Sequence, residues 1–368
     1  MLQIQRELKA TGYWVEGINT GSGGSPKEAQ GSNTGSSNKG PLPLNSRAAV
    51  DLTERIKAAH AMTLGSLVHS PSSALGYNDG AGETLSKHEA ERDRHRAQRT
   101  AIVRELHALG VLGQGHAIIE VGAGNGELSL AIAEAHPEAC MRDALVLLDQ
   151  GRKPRGRSGH ARQSADAALA ESWDQFVRLK LDVQHVDLAS LRDTVAPGRS
   201  IVVIAKHLCG AASDFTLRAF VSACDRSDPP LAVVLGTCCH HRCEWTAYPN
   251  RKSLTELLVP SEAPESKDQP SEDKETALAQ GSSNTFGRDE FELICRLSSR
   301  GVDGADLSAR ADAGRRAKDL LDHGRAEYLR GHGFKDARLV PYVDASVTPE
   351  NVLIVARATT LIESSESL

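Results

Sequence analysis

The run Glu120-Val121-Gly122-Ala123-Gly124-Asn125-Gly126-Glu127 constrains this fold more than any other segment. It follows a buried-strand pattern, Ala117 to Val121, and precedes an apolar-periodic stretch from Leu128 to Ala135. It therefore reads as a sharp turn from strand into helix. Closely spaced glycines let the backbone reverse and let a ligand approach with no Cβ in the way. The spacing Gly-x-Gly-x-Gly differs from the dinucleotide fingerprint, whose last glycine stands one residue further on, but both put a ligand at the carboxyl end of a sheet.

Four further buried-strand patterns follow: Ala144–Leu148 ending at Asp149, Val177–Val186 ending at Asp187, Ser200–Ala205 ending at Lys206-His207, and Leu231–Leu235. Helical patterns lie between several of them, among them Asp214–Cys224, and a charged one, Leu85–Leu109, precedes the first strand. A long helix over Ala311–Arg330 stops at Gly331, and two last strands, about 337–343 and 351–358, are joined by a turn containing Pro349. Strands alternating with helices predict an α/β fold: a Rossmann-like, mostly parallel sheet closed by a C-terminal antiparallel hairpin.

The strand ends suggest the ligand. Glu120 can meet a cationic head group, Asp149 can accept both hydroxyls of a ribose, and Asp187 can accept from an adenine amine. S-adenosyl-L-methionine, with its ammonium, sulfonium and ribose, suits acids at several tips, whereas a pyrophosphate would prefer bare N–H groups and cations. The expected cofactor-binding set is Glu120, Gly122, Gly124, Asn125, Gly126, Asp149 and Asp187. A nicotinamide-dependent oxidoreductase is the competing enzyme.

The next two tips carry Lys206-His207-Leu208-Cys209-Gly210, followed by Asp214, and Cys238-Cys239-His240-His241-Arg242-Cys243. Methyl transfer from a sulfonium releases a neutral thioether, so the leaving group needs no acid. An attacking hydroxyl needs a base, or a cation that lowers its pKa. Lys206 can supply the cation, and His207, Asp214 or His240 the base. The second run also offers zinc ligands. Adjacent cysteines lack the Cys-x₂₋₄-Cys spacing of a structural site, and no partner pair follows, so no metal is expected there and packing beside the cofactor is favoured.

Composition sets the remaining bounds. Of 368 residues 40% are hydrophobic but only 4% aromatic, which predicts an aliphatic core. A net charge of −5 gives no bulk attraction to nucleic acid, so any such contact must be local. The run Arg152, Lys153, Arg155, Arg157 and Arg162 is the candidate for phosphate contact. Residues 17–48 are rich in Gly, Ser, Asn and Pro, and 259–285 form an acidic insert; both read as flexible. From Ser261 to Glu275 six acids face two bases, so most of the net charge lies there. No apolar run is long enough for a membrane span and no secretory signal is seen at the N-terminus. Uneven cysteine spacing fits a reducing compartment, cytoplasm or nucleus. The expected organisation is a largely flexible extension over 1–84, a catalytic domain over 85–360 and a tail over 361–368.

Lys206–Gly210 and Cys238–Cys243, with the glycine turn, Leu320-Leu321-Asp322-His323-Gly324-Arg325 and Pro349-Glu350-Asn351-Val352-Leu353, resemble the eukaryotic tRNA 2′-O-ribose methyltransferases acting on nucleotide 4 of the acceptor stem. The resemblance runs in patches from Leu85 to Ala358, and Tyr13–Gly21 is similar to the segment ahead of the family's catalytic domain. It implies S-adenosyl-L-methionine as donor, the tRNA acceptor stem as partner and methylation of a ribose as the activity. It also implies small N-terminal Cys/His zinc fingers, and this sequence has no cysteine before Cys140. A catalytically silent RNA-binding subunit on the same fold, or a zinc-stabilised interaction module, are the readings from other classes.

Overall fold

The computed structural model describes residues 46–64, 87–150, 158–225, 231–259, 286–299 and 309–358. Tyr13–Gly21, most of the 17–48 stretch, the acidic insert from residue 260 on and the cations at 152, 153, 155 and 157 lie outside the described residues.

Seven strands form one sheet: β1 (Ala117–Val121), β2 (Ala144–Asp149), β3 (Gln175–Lys180), β4 (Ile201–Cys209), β5 (Ala232–Cys238), β6 (Arg338–Pro341) and β7 (Val352–Arg357). Their spatial order is β3-β2-β1-β4-β5-β7-β6. The first five run parallel, while β7 is antiparallel to both β5 and β6. The expected fold class is therefore the observed one. The order reverses beside β1 and β4, so their carboxyl ends open a crevice.

Both faces are covered, which is why the strands read as near-continuous apolar runs. Alternate residues divide between them: Ile119, Val121, Val203 and Ala205 pack with Leu217, Phe220 and Phe334. On the opposite face Ile118, Val202 and Ile204 pack with Ile102, Leu106, Leu128 and Leu169. The helices of this second layer are α2 (Lys87–Ala108), α3 (Glu127–Ala135) and α5 (Ser158–Ser172), with the short α4 (Pro137–Cys140) between strands β1 and β2. The first layer uses α6 (Leu188–Val195), α7 (Ala211–Ser222) and the end of α10 (Ala309–Gly331).

A third apolar cluster joins α10 to three helices the sequence patterns leave unassigned: α1 (Arg47–Leu64), α8 (Arg251–Leu258) and α9 (Arg288–Ser298). Helix α1 falls within the segment expected to be an extension. Leu52 and Ile56 are fully buried against this cluster, each worth about 1.5–3 kcal/mol, and His60 meets Asp319 of α10 at 2.9 Å. Residues 46–64 are thus part of the folded body. Among the described residues, no helix is long and apolar enough to cross a membrane.

Candidate active site

A cleft of 760 Å³ opens at the carboxyl ends of β1, β2 and β4 and is lined by Gly122, Asp149, Asp182, Gln184, His207 and Cys209, among others. Its floor is the glycine turn. Gly122, Gly124 and Gly126 have φ of 69°, 53° and 81°, a region closed to most side chains. Gly122 is exposed to the cleft. A Cβ on Gly126 would come within 3.1 Å of Leu147 and Leu169. The turn is tied down on all sides. The Gly124 N–H donates to Asp149 Oδ2 at 3.0 Å. Its carbonyl accepts from Arg162 and Arg178, both at 2.9 Å, and Arg178 is held in turn by Asp166. Arg162 therefore braces the turn from α5, 3.8 Å from Asp149, and does not stand in a basic surface loop.

Two acids differ from expectation. Strand β3 stops at Lys180, so Asp187 lies beyond a short 3₁₀ turn and caps α6, accepting from the N–H groups of Ala189 and Ser190. The acid after β3 that lines the cleft is Asp182, which accepts from the Gln184 N–H and from Gln150 Nε2 at 2.8 Å. Glu120 points to the other face. Only 3% exposed, it accepts from the Ser129 N–H and hydroxyl, fixing α3 to β1, and burial pushes its carboxyl up to about 7. Asn125 is half-buried within the turn.

Strand β4 runs on past Ala205, but its pairing with β5 slips between Ala205 and Leu208. His207 is left-handed there, with φ of 59°. The bulge breaks the alternation of faces. Both Lys206 and His207 turn toward α2, and Leu208 joins the opposite layer. Lys206 Nζ donates to His95 Nδ1 at 3.2 Å, and His207 Nε2–H donates to Gln98 Oε1 at 2.9 Å. Burial, then the Arg99 guanidinium, lowers Lys206 to about 8, against the pull of Glu127, Glu120 and Cys238. Burial, then Lys206, lowers His207 to about 4, so its ring is neutral at pH 7.

Asp214 and His240 do not face the cleft. Asp214 is fully buried in the first turn of α7, where Arg325 of α10 donates to both its oxygens at 2.8 and 3.1 Å. Arg325 also donates to Asp322 at 2.8 Å. Asp322 accepts further from Thr237 and from His240 Nε2, the latter at 2.9 Å. Burial alone would raise Asp322; His240, Arg325 and Thr237 together hold it below the usual carboxylate range. This network joins the β5 tip to α7 and α10, and His240 lines a separate cavity of 320 Å³. Its neighbours His241, Arg242 and Cys243 line the cleft instead.

The family whose description is Methyltransferase TRM13 matches residues 97–357, which contain the whole of this cleft. The chain belongs to the TRM13 family. The relative from Yarrowia lipolytica, named tRNA:m(4)X modification enzyme TRM13, is 24% identical over 77% of this chain and 63% of its own length. Those from Schizosaccharomyces pombe and Homo sapiens are 24% and 26% identical over 73% and 72% of this chain, and 69% and 64% of their own. The chain thus spans about two thirds of the length of the curated relatives it matches. A solved magnesium protoporphyrin IX methyltransferase from Synechocystis is similar at a TM-score of 0.35 and 14% identity, covering 86% of this chain and 97% of that one, too distant to carry an argument.

Sequence reading missed His95, Gln98 and Asp182, of which Gln98 and Asp182 fall within the TRM13 match. Leu181-Asp182 after an alternating strand was a signal for the last. His95 and Gln98 carried none, because they meet β4 across more than a hundred residues of chain.

Proposed function

We propose that this chain is an S-adenosyl-L-methionine-dependent 2′-O-methyltransferase acting on a tRNA ribose, at position 4 of the acceptor stem. The observation that carries it is the β4 bulge, which turns Lys206 and His207 together toward α2 while His207 lines the cleft along with Gly122 and Asp149.

The cleft fits the donor. Gly122 leaves room for a ligand against the backbone, while Asp149, Asp182 and Gln184 present acceptors and an amide for a ribose and an adenine. S-adenosyl-L-methionine, when bound, supplies an electrophilic methyl group whose leaving thioether is neutral. Lys206, half-buried, directs its ammonium at an incoming ribose hydroxyl and makes that hydroxyl more acidic. His207 commits its Nε2–H to Gln98, so the lone pair of Nδ1 is left to take the hydroxyl proton. Helix α2 presents exposed Arg92 and Arg94 just ahead of His95, a local phosphate-binding surface on a chain with no bulk positive charge. The names of the relatives support tRNA and the nucleotide position.

The test is incubation of the chain with bulk tRNA and methyl-labelled S-adenosyl-L-methionine, followed by nucleoside mapping. A 2′-O-methylated nucleotide 4 is expected. Label on a base, or none in any tRNA, overturns the reading.

A further inference from the structure

The Sγ atoms of Cys209, Cys238 and Cys239 lie within 4.8 Å of one another, and the reaction above uses none of them. The sequence hides this cluster, because Cys209 stands 29 residues before Cys238. The sheet assembles it. Cys209 and Cys238 are register partners across β4 and β5, with their sulfurs 3.1 Å apart. Cys239 turns the chain back with φ of 48°, a left-handed conformation that costs a non-glycine residue roughly 1–2 kcal/mol. Strain of that kind persists where the surroundings over-determine it, and it collects at functional sites. Gly210, itself at φ 54°, lies against the Arg242 backbone so closely that any Cβ would collide, and this closes the β4 turn onto the β5 turn.

We propose that these three thiolates bind a zinc ion, with the fourth coordination position open toward the cleft. Three convergent soft donors select zinc over hard cations. Zinc–sulfur bonds of about 2.3 Å in a tetrahedron put the sulfurs about 3.8 Å apart. Small side-chain rotations reach that from the present spacing, which already lies inside the range an ion can span. Cys209 lines the cleft, so the position not filled by protein faces it and takes a water. This is the three-ligand, one-open pattern of zinc sites that exchange a ligand. Three thiolates and one zinc leave a single negative charge, and Arg242, which faces Cys209, offsets it. Glu350 also acts on Cys209, but its carboxylate is held by Lys318 at 2.8 Å. A disulfide between Cys209 and Cys238 would leave the strained Cys239 without a role. The other four cysteines make no comparable group among the described residues.

The experiment uses the full chain produced with added zinc, freed of loose metal by gel filtration and assayed by elemental analysis. One zinc per chain is expected in the wild type and in Cys224→Ser. Cys209→Ser should hold less than about a tenth of that, the loss expected on removing one of three ligands. Cys239→Gly is the second variant: glycine suits φ 48°, so the chain should fold at least as well by circular dichroism and melting temperature, yet lose its zinc. Cobalt in place of zinc should give a thiolate charge-transfer band that both ligand variants abolish. Zinc should also shield Cys209, Cys238 and Cys239 from alkylation, read by peptide mass. A wild-type chain without zinc, zinc retained by either ligand variant, or a Cys209–Cys238 disulfide in freshly isolated protein would overturn the proposal.

Discussion

Asp214→Asn separates a structural carboxylate from a catalytic one. Asp214 and Arg325 are 0% and 1% exposed in their side chains and share two charge-assisted hydrogen bonds. Removing one partner of such a buried pair costs about 3–5 kcal/mol, because the other charge is left uncompensated. Here the lower end applies. Arg325 keeps its bond to Asp322, and the asparagine oxygen can still accept one of the two bonds. A loss of about 3 kcal/mol corresponds to a fall in melting temperature of roughly 6–12 °C for a folded body of this size. Differential scanning calorimetry of wild type and variant measures it. Methylation per folded molecule, assayed well below the melting transition, should stay within about threefold of wild type, since the carboxylate touches no reacting atom. An Asp214→Asn protein that melts with wild type but has lost a hundredfold or more in turnover would refute the reasoning and return Asp214 to the chemistry.

Four other expectations concern the site and its surroundings. Lys206→Met should lower turnover by roughly 10²–10³ with little change in S-adenosylhomocysteine affinity by calorimetry, as for loss of one preorganised charge; an unchanged rate removes Lys206 from the site. In the wild type, kcat/KM should hold steady through neutral pH and fall tenfold per unit above about 8, as the ammonium among His95, Arg99, Glu127, Glu120 and Cys238 loses its proton. Activity that instead climbs through pH 8 would make Lys206 the base. Gln98→Ala should shift the imidazole signals of His207 in nuclear magnetic resonance and reduce kcat more than it raises KM, and Gln98→Glu, which keeps the acceptor, should restore the tautomer. Arg92→Ala with Arg94→Ala should weaken tRNA binding and take about 0.7–0.9 per lost phosphate contact off the slope of log affinity against log salt, while donor affinity stays constant.

Much of the fold was legible because its signals are local. The glycine turn, the strand ending at Asp149 and the Lys206-His207 tip are each written within a few consecutive residues, where apolar period and glycine placement dictate strand, turn and helix start. The misplaced acids show where that stops. Asp182 and Asp187 both follow an alternating stretch, and β3 ends where pairing with β2 ends, at Lys180 opposite Asp149. That boundary belongs to the partner strand as much as to β3 itself. Helix α1 was unreadable as part of the domain because its stripe of Leu52 and Ile56 is buried only when α8, α9 and α10 come together.

From sequence alone came the α/β sheet, the carboxyl-end cleft and the neighbourhood of Lys206 with His207, since backbone conformation over a short stretch responds chiefly to the residues in it. The tertiary structure alone decided which polar groups are wet and which are paired. It buried Asp214 and His240 around Arg325 and Asp322, supplied Gln98 and His95 from a distant helix, and brought Cys209 beside Cys238 and Cys239. A side chain's exposure and partners depend on elements that arrive from elsewhere in the chain, and no spacing within one segment encodes their arrival.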